Sequence, residues 1–305
     1  MQNNVLKLTG ITKSYGSKRA VDGINMTVPQ GEIYGLIGRN GAGKTTVMRM
    51  ITSLCHADSG EIELFGATNG KELREARERM GCVIENPSLY PNLNAVQNLE
   101  YYQRLKGIPN KQIVQKTLEI VGLAEVGKKK FKNYSLGMKQ RLGIGLALLN
   151  NPDLLILDEP LNGLDPMGIV EMRELIKSLS KERQITILIC SHLLTELSLV
   201  ATRYGIIENG RMVKELTAEE LADACQSSLS IQVSDIPKAL SVIETQLGTR
   251  NYKVIGEQEI RLFEYMNESH VVNQALVSGG VNVLGISKVE DNLEAYFMEL
   301  VKEEK

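Results

Sequence analysis

The sequence predicts an α/β fold: a mostly parallel sheet built around a phosphate-binding loop and carrying a helical insertion, followed by a small α+β domain of ferredoxin-like order. Three observations predict it. A glycine-rich loop, Gly38 to Thr46, joins a strand-sized apolar run to a helical pattern. Two further apolar runs, Leu154 to Leu157 and Ile185 to Cys190, each end in polar residues able to do chemistry. Beyond about residue 215 the pattern changes to short segments reading strand, helix, strand, strand, helix, strand, followed by the helix "NLEAYFMELVKEE" over residues 292 to 304.

The first strand is "VLKLTGITKSY", part of an antiparallel portion near the N-terminus. The segment "EIYGLIGRNGAGKTTVMRMITSL" then carries the strongest signal in the chain. Ile33 to Ile37 read as a buried strand, Gly38 to Thr46 fit G-x-x-x-x-G-K-[ST], and Val47, Met50, Ile51 and Leu54 follow at helical spacing. The four fixed positions alone would match by chance in about one chain in a hundred of this length. The flanking strand and helix remove most such accidents. Gly38, Gly41 and Gly43 let backbone N–H groups converge on phosphate oxygens where a side chain would obstruct them, with Asn40 and Ala42 completing the loop. Lys44 is placed to reach the β- and γ-phosphates, the Thr45 hydroxyl to ligate Mg2+, and Thr46 to add a phosphate contact.

"NPDLLILDEP" supplies the second half of such a site. Asn151-Pro152-Asp153 is a turn, Leu154 to Leu157 a buried strand, and Asp158 and Glu159 emerge at its C-terminal end, where open α/β sheets bind ligands. Asp158 is positioned to hold Mg2+ through water. Glu159, one residue on, points elsewhere and is free to polarise an attacking water. The strand "ITILIC" ends in Ser191-His192, and its position makes His192 a γ-phosphate sensor and transition-state stabiliser.

Ser135 in "YSLGMKQRL" is an N-cap, and Leu136, Met138, Leu142, Ile144, Leu146 and Leu149 continue through a mostly buried helix. A hydroxyl, a glycine at 137 and the positive end of a helix dipole suit an anion. The helical insertion spans roughly residues 86 to 150, and its Tyr90, Tyr101 and Tyr102 look exposed, either as a contact face or as ordinary packing.

Composition limits the alternatives. With 305 residues there is room for one large core and a smaller domain, and with 43 % hydrophobic and 24 % charged residues the chain reads as globular. A net charge of -2 leaves no nucleic-acid footprint, so no nucleic-acid partner is expected. No apolar run approaches the roughly 18 residues a membrane helix needs, and "MQNNVLKLTG" does not read as a secretory signal. Cys55, Cys82, Cys190 and Cys225 form no C-x-x-C pair and read as buried free thiols of a reducing cytosol. The three histidines do not cluster, so zinc chemistry is not supported. The run "KKKFK" at Lys128 to Lys132 reads as a solvated face.

The phosphate loop, "YSLGM", "LLILDEP", "NGLDP" and "SH" occur in the order and rough spacing of the ATP-binding subunits of ABC transporters, which the chain resembles over about residues 5 to 215. "YSLGM" more narrowly resembles the bacitracin-resistance and lantibiotic-immunity exporters. The resemblance implies ATP and Mg2+ as cofactors and ATP hydrolysis coupled to transport, with a separate membrane permease as partner. It implies a dimer, of identical chains or with a related subunit, peripheral on the cytoplasmic side of the membrane. Ser135 and Gly137 would then bind the γ-phosphate of ATP held by the second subunit, Tyr15 would stack on adenine, and Asp165 in "NGLDP" would lie in the loop crossing the dimer interface. Tyr15 can also be a core-edge residue, and Asp165 can also cap the next helix.

Two departures stand out. Where the family usually has glutamine, "GCVIENPSLY" places Glu85, which would still sense Mg2+ and the hydrolytic water but brings added negative charge toward Asp158, Glu159 and a triphosphate. Met138 replaces a signature glutamine and loses its polar contact with the nucleotide.

The nucleotide-binding domain thus covers residues 1 to 215 and an accessory domain residues 216 to 305. The latter holds no catalytic constellation; its role is open between dimerisation, regulation, permease contact and passive stabilisation. The resemblance alone favours export over import, with peptide antibiotics, bacteriocins or other drugs as the cargo. A non-transport ABC ATPase of DNA repair or translation would need a second cassette, long coiled coils or a basic surface, and this chain has none of them. A small-molecule kinase would explain Gly38 to Thr46 but not Ser135, His192 or "NGLDP".

Overall fold

The structure is a computed structural model that describes residues 3–85, 87–110, 112–225, 227–289, 296–298 and 300. The chain folds as two compact units, one up to Ala218 and one from Glu219 onward.

The first unit holds two sheets. Strands β1 (Asn4–Tyr15), β2 (Lys18–Pro29) and, later, β4 (Ser59–Leu64) form an antiparallel sheet in the order β2-β1-β4. β3 (Ile33–Ile37) leads to α1 (Lys44–Ile51), and α2 (Gly70–Glu78) leads to β5 (Met80–Val83). The insertion contributes α3 (Ala95–Leu105), α4 (Ile113–Ile120) and α5 (Leu136–Leu148). β6 (Leu154–Asp158), α6 (Pro166–Arg183), β7 (Thr186–Ser191), α7 (Leu194–Ser198), β8 (Arg203–Glu208) and β9 (Arg211–Thr217) complete the unit. The second sheet runs β5-β6-β7-β3-β8-β9, parallel except for β9, which pairs antiparallel with β8.

Every residue of β3, β6 and β7 is buried, as expected of central parallel strands covered on both faces. That is why they read as unbroken apolar runs. Val47, Met48, Met50 and Ile51 of α1 bury their side chains in the core with Leu36, Ile156, Leu188 and Cys190, which anchors the helix that follows the glycine-rich loop. Leu54, expected to continue this helical face, is instead exposed. The helix ends at Ile51, and Ser53 takes a left-handed φ of 63°, turning the chain before Leu54.

In the insertion, α3 opens on a reciprocal capping box, the Asn94 side chain accepting from the Gln97 amide and the Gln97 side chain from the Asn94 amide. Tyr90, Tyr101 and Tyr102 form an edge-to-face cluster with centroids 4.8 Å and 5.4 Å apart, and Tyr90 and Tyr101 remain exposed. The expectation of uniformly buried thiols is corrected: Cys190 is buried, but Cys82 is exposed. β5 is an edge strand, and its alternation turns Cys82 outward between buried Gly81 and Val83.

The second unit begins with α8 (Ala218–Ala224), whose first residue lies at the boundary, followed by β10 (Ser228–Val233), α9 (Ile236–Val242), β11 (Tyr252–Ile255), β12 (Glu259–Leu262), α10 (Ser269–Ser278) and β13 (Val283–Val289). Its strands pair antiparallel in the order β11-β12-β10-β13, the ferredoxin-like connectivity. Leu229, Ile231, Ile260, Leu262, Val272 and Leu276 are the centre of its separate core. Residues 296–298 and 300 are helical; the rest of the helix expected over residues 292 to 304 lies outside the described residues, as does Asn86 at the start of the insertion.

Candidate functional site

The loop after β3 is shaped by its glycines. Gly43 caps α1 with φ 112°, and a Cβ there would lie 2.6 Å from the Ala20 carbonyl oxygen. Gly38 is equally confined, its added Cβ falling 2.5 Å from the Ile207 carbonyl oxygen. No side chain larger than hydrogen fits either position, so the loop backbone packs directly against the Ala20 and Ile207 carbonyls. Asn40 and Gly41 are exposed, Ala42 is buried, and Thr46 is half-buried on the first turn of α1.

Lys44 is 5 % exposed. Its Nζ donates to the Gly38 carbonyl at 2.6 Å and the Arg39 carbonyl at 3.3 Å, and lies 3.4 Å from Glu159 Oε1. The ammonium is therefore held over the loop by acceptors that a triphosphate can outcompete. The Thr45 hydroxyl donates to Asp158 Oδ2 at 2.9 Å, joining the first turn of α1 to the end of β6. Asp158 Oδ1 is buried with no hydrogen-bond partner. Burial, with the nearby charges of Glu159 and Glu85, raises the Asp158 pKa above its ordinary 3.8, against the lowering effects of the Thr45 hydrogen bond and Lys44. A buried carboxylate with an orphaned oxygen beside a hydroxyl is a donor set suited to a hard divalent cation. Among the described residues no three His, Cys, Asp or Glu side chains cluster to hold a metal, so phosphate and water would supply most of the ligands of such a cation.

Glu159 adopts φ 50°, and its amide donates to the Cys190 carbonyl at 3.0 Å, across to neighbouring β7. This turns its side chain to His192: Oε2 accepts from the His192 amide at 3.3 Å and meets Nδ1 at 2.8 Å. An ionised carboxylate only accepts, so Nδ1 carries the proton and Nε2 is left for another partner. Cys190, fully buried below, has its thiol pKa pushed well up, by burial first and then by Asp158. Lys44, Thr45, Asp158, Glu159 and His192 thus form one connected group at the C-terminal edge of the sheet.

The remaining candidates stand apart from that group. Tyr15 is half-exposed, with Lys13 Nζ 5.7 Å from its ring centroid, and its pKa is raised chiefly by a hydrogen bond to Cys55. Glu85 pairs with Arg49 of α1 and makes no hydrogen bond to Thr45 or Asp158. Ser135 caps α5, accepting from the Met138 amide at 3.3 Å, and is exposed. A Cβ on Gly137 would meet only Leu164 Cδ2, at an ordinary 3.7 Å, so nothing within the described chain demands a glycine there. Asp165 caps α6 by accepting from the Gly168 amide at 3.2 Å, with Pro166 at the first helical position. Sequence reasoning missed Arg49 and Cys55. Arg49 lies 36 residues from its partner, and no local pattern announces either contact.

A glycine-rich loop feeding a helix, a buried lysine and an acid pair at the sheet edge define the class: a phosphate-loop nucleotide hydrolase. The family profile described as "ABC transporter" matches residues 21–162. The chain is 44 % identical to the bacitracin transport ATP-binding protein BcrA of Bacillus licheniformis, over 98 % of each chain. It is 43 % identical to the lantibiotic transport ATP-binding protein SrtF of Streptococcus pyogenes, over 69 % of this chain and 90 % of that one. Among solved structures, the dimeric post-hydrolysis state of the ATP-binding cassette MJ0796, bound to ADP and Pi, superposes with a TM-score of 0.63 at 25 % identity, covering 70 % of this chain and 98 % of that one. The chain belongs to the ABC transporter family, as an ATP-binding subunit that hydrolyses ATP. Among the described residues no helix is long and apolar enough to cross a membrane.

Proposed function

We propose that this chain drives export of peptide antibiotics of the bacitracin and lantibiotic kind through a separate membrane permease, to which it binds on the cytoplasmic face. Two such ATP-binding subunits, identical or related, close around two nucleotides, each completing the other's site. The observation that carries this reading is the pair Ser135 and Gly137. An exposed capped helix start and a glycine unneeded by its own fold sit outside the Lys44 group, in a chain with a single phosphate loop. That leaves them for the γ-phosphate bound by a second subunit. Similarity to BcrA along the whole chain supports the cargo class.

Within one site, Lys44 exchanges the Gly38 and Arg39 carbonyls for phosphate oxygens. Thr45, Asp158 and Glu85 would hold Mg2+, which when bound neutralises charge on the β- and γ-phosphates. Glu159 accepts the proton of the attacking water and holds His192 through Nδ1, and the His192 ring, once protonated at Nε2 as well, donates from there to the transferring phosphoryl group. Tyr15 stacks on adenine, Asn40, Gly41, Ala42, Gly43 and Thr46 cradle the phosphates, and Asp165 holds the loop that meets the partner subunit.

The test is deletion of this chain in its own cell. Susceptibility to bacitracin or a lantibiotic rises, wild-type chain restores resistance and Lys44→Ala does not, and a polytopic membrane protein co-purifies with the chain. Unchanged susceptibility to both compounds would remove the cargo assignment.

A further inference from the structure

Glu85 and Glu159 leave the sheet at the same level. Val83 of β5 pairs in register with Leu157 of β6, and each glutamate follows two residues later with a left-handed φ, 61° for Glu85 and 50° for Glu159. Their side chains then part. Glu159 turns to Lys44 and His192, and Glu85 is taken by the guanidinium of Arg49. Glu85 still lies near enough to Asp158 for its charge to raise that carboxyl's pKa. Arg49 projects from α1, five residues after Lys44, and its charge also reaches the Tyr15 hydroxyl.

We propose that Arg49 is a positioning residue: it is the counter-ion that holds Glu85 back from the cation position until Mg2+ arrives with ATP and competes the carboxylate away. This rests on the reading of Glu85 as a residue that senses Mg2+. A carboxylate at 85 adds a negative charge to a site that already has Asp158 and Glu159 and must admit a triphosphate. Left unpaired, it opposes entry of the nucleotide. Paired with Arg49 it does not, and a neutral amide at 85 would have no such requirement. The pair is also weak enough to release. Its side chains are 40 % and 60 % exposed, and exchanges between such surface ions shift equilibria by about two- to fivefold, within reach of a divalent cation.

The experiment measures binding of a fluorescent, mant-labelled ATP to the full chain, with Mg2+ and with EDTA in its place. The ratio of the two affinities is compared among wild type, Arg49→Gln, Arg49→Lys, Glu85→Gln and the double variant Arg49→Gln/Glu85→Gln. Arg49→Gln should weaken metal-free binding more than Mg2+-supported binding and raise the ratio about two- to fivefold. Arg49→Lys should stay near wild type, and in the Glu85→Gln background Arg49→Gln should leave the ratio unchanged. Thermal melts check folding, and Arg49→Met, which keeps the apolar stem, replaces Arg49→Gln if that variant does not fold. An equal change of ratio in both backgrounds would mean that Arg49 acts on the nucleotide directly, and no change in either would mean that it does not act; both overturn the proposal. A ratio unmoved by Glu85→Gln alone overturns instead the assignment of Glu85 to the cation, and the proposal with it.

Discussion

Replacing Ser135 separates what this residue does for its own helix from what it does for a second subunit. Within the chain its hydroxyl makes one capping hydrogen bond, to the Met138 amide at 3.3 Å, on an exposed helix end. Loss of such a cap costs about 1 kcal/mol, so Ser135→Ala should lower the chain's stability by that amount. Aspartate caps as well as serine and favours the positive end of the helix, so Ser135→Asp should unfold at the wild-type denaturant concentration or slightly above. Across an ATP-bound dimer the two substitutions rank in the opposite order. A hydrogen bond to a charged phosphate contributes about 1.5–3 kcal/mol, and a symmetric dimer has two. Ser135→Ala should then weaken ATP-dependent dimerisation by about 3–6 kcal/mol, roughly two to four powers of ten in Kd. Ser135→Asp, which sets a carboxylate against the γ-phosphate, should abolish it. Sedimentation velocity with ATP in a Glu159→Gln background, where slowed turnover preserves the dimer, reads the association, and urea denaturation without nucleotide reads the stability. Normal ATP-dependent dimers of Ser135→Asp would refute the assignment of this helix start to the partner's nucleotide.

Two other perturbations test the site from within. Gly41 and Gly43 both have positive φ, 84° and 112°, but a Cβ on Gly41 meets nothing within 4 Å and one on Gly43 lies 2.6 Å from the Ala20 carbonyl oxygen. Gly41→Ala should cost about 1 kcal/mol of strain and Gly43→Ala about 3 kcal/mol or more, measured by urea denaturation; equal losses would mean the loop is free to move off Ala20. Asp158 has a raised pKa in the folded chain, chiefly through burial, so folding favours its protonated form: that contribution is present below the ordinary 3.8 and lost as pH rises through the folded value. Asp158→Asn should therefore melt above wild type near neutral pH in the absence of nucleotide, and the gap should close as pH falls toward 3.8. A wild-type melting curve for the variant at neutral pH would show that the buried carboxylate carries no such cost.

The strands that position the site were legible because of where they lie. β3, β6 and β7 are buried on both faces, so burial demands an apolar residue at every position and leaves a continuous run in the sequence. The glycine-rich loop was legible for a related reason, since Gly38 and Gly43 occupy places no other residue fits. Leu54 misled because periodicity does not record where a helix stops. Thr52 and Ser53 end α1 by backbone conformation, and the apolar spacing runs on regardless. Cys82 misled because its exposure depends on β5 standing at the sheet edge, which is a property of strand order.

By itself the sequence determined the elements, the phosphate loop, the acid pair at the end of β6 and the ferredoxin-like segment order, since each is written in residues near one another along the chain. Only the tertiary structure decided which charges meet. Glu159 lies 33 residues before His192, Thr45 lies 113 before Asp158, and Arg49 lies 36 before Glu85. The strand order β5-β6-β7-β3 brings these residues to one edge. The physical reason is that backbone periodicity acts over one or two turns, while electrostatic pairing depends on distances that exist only once the sheet has closed.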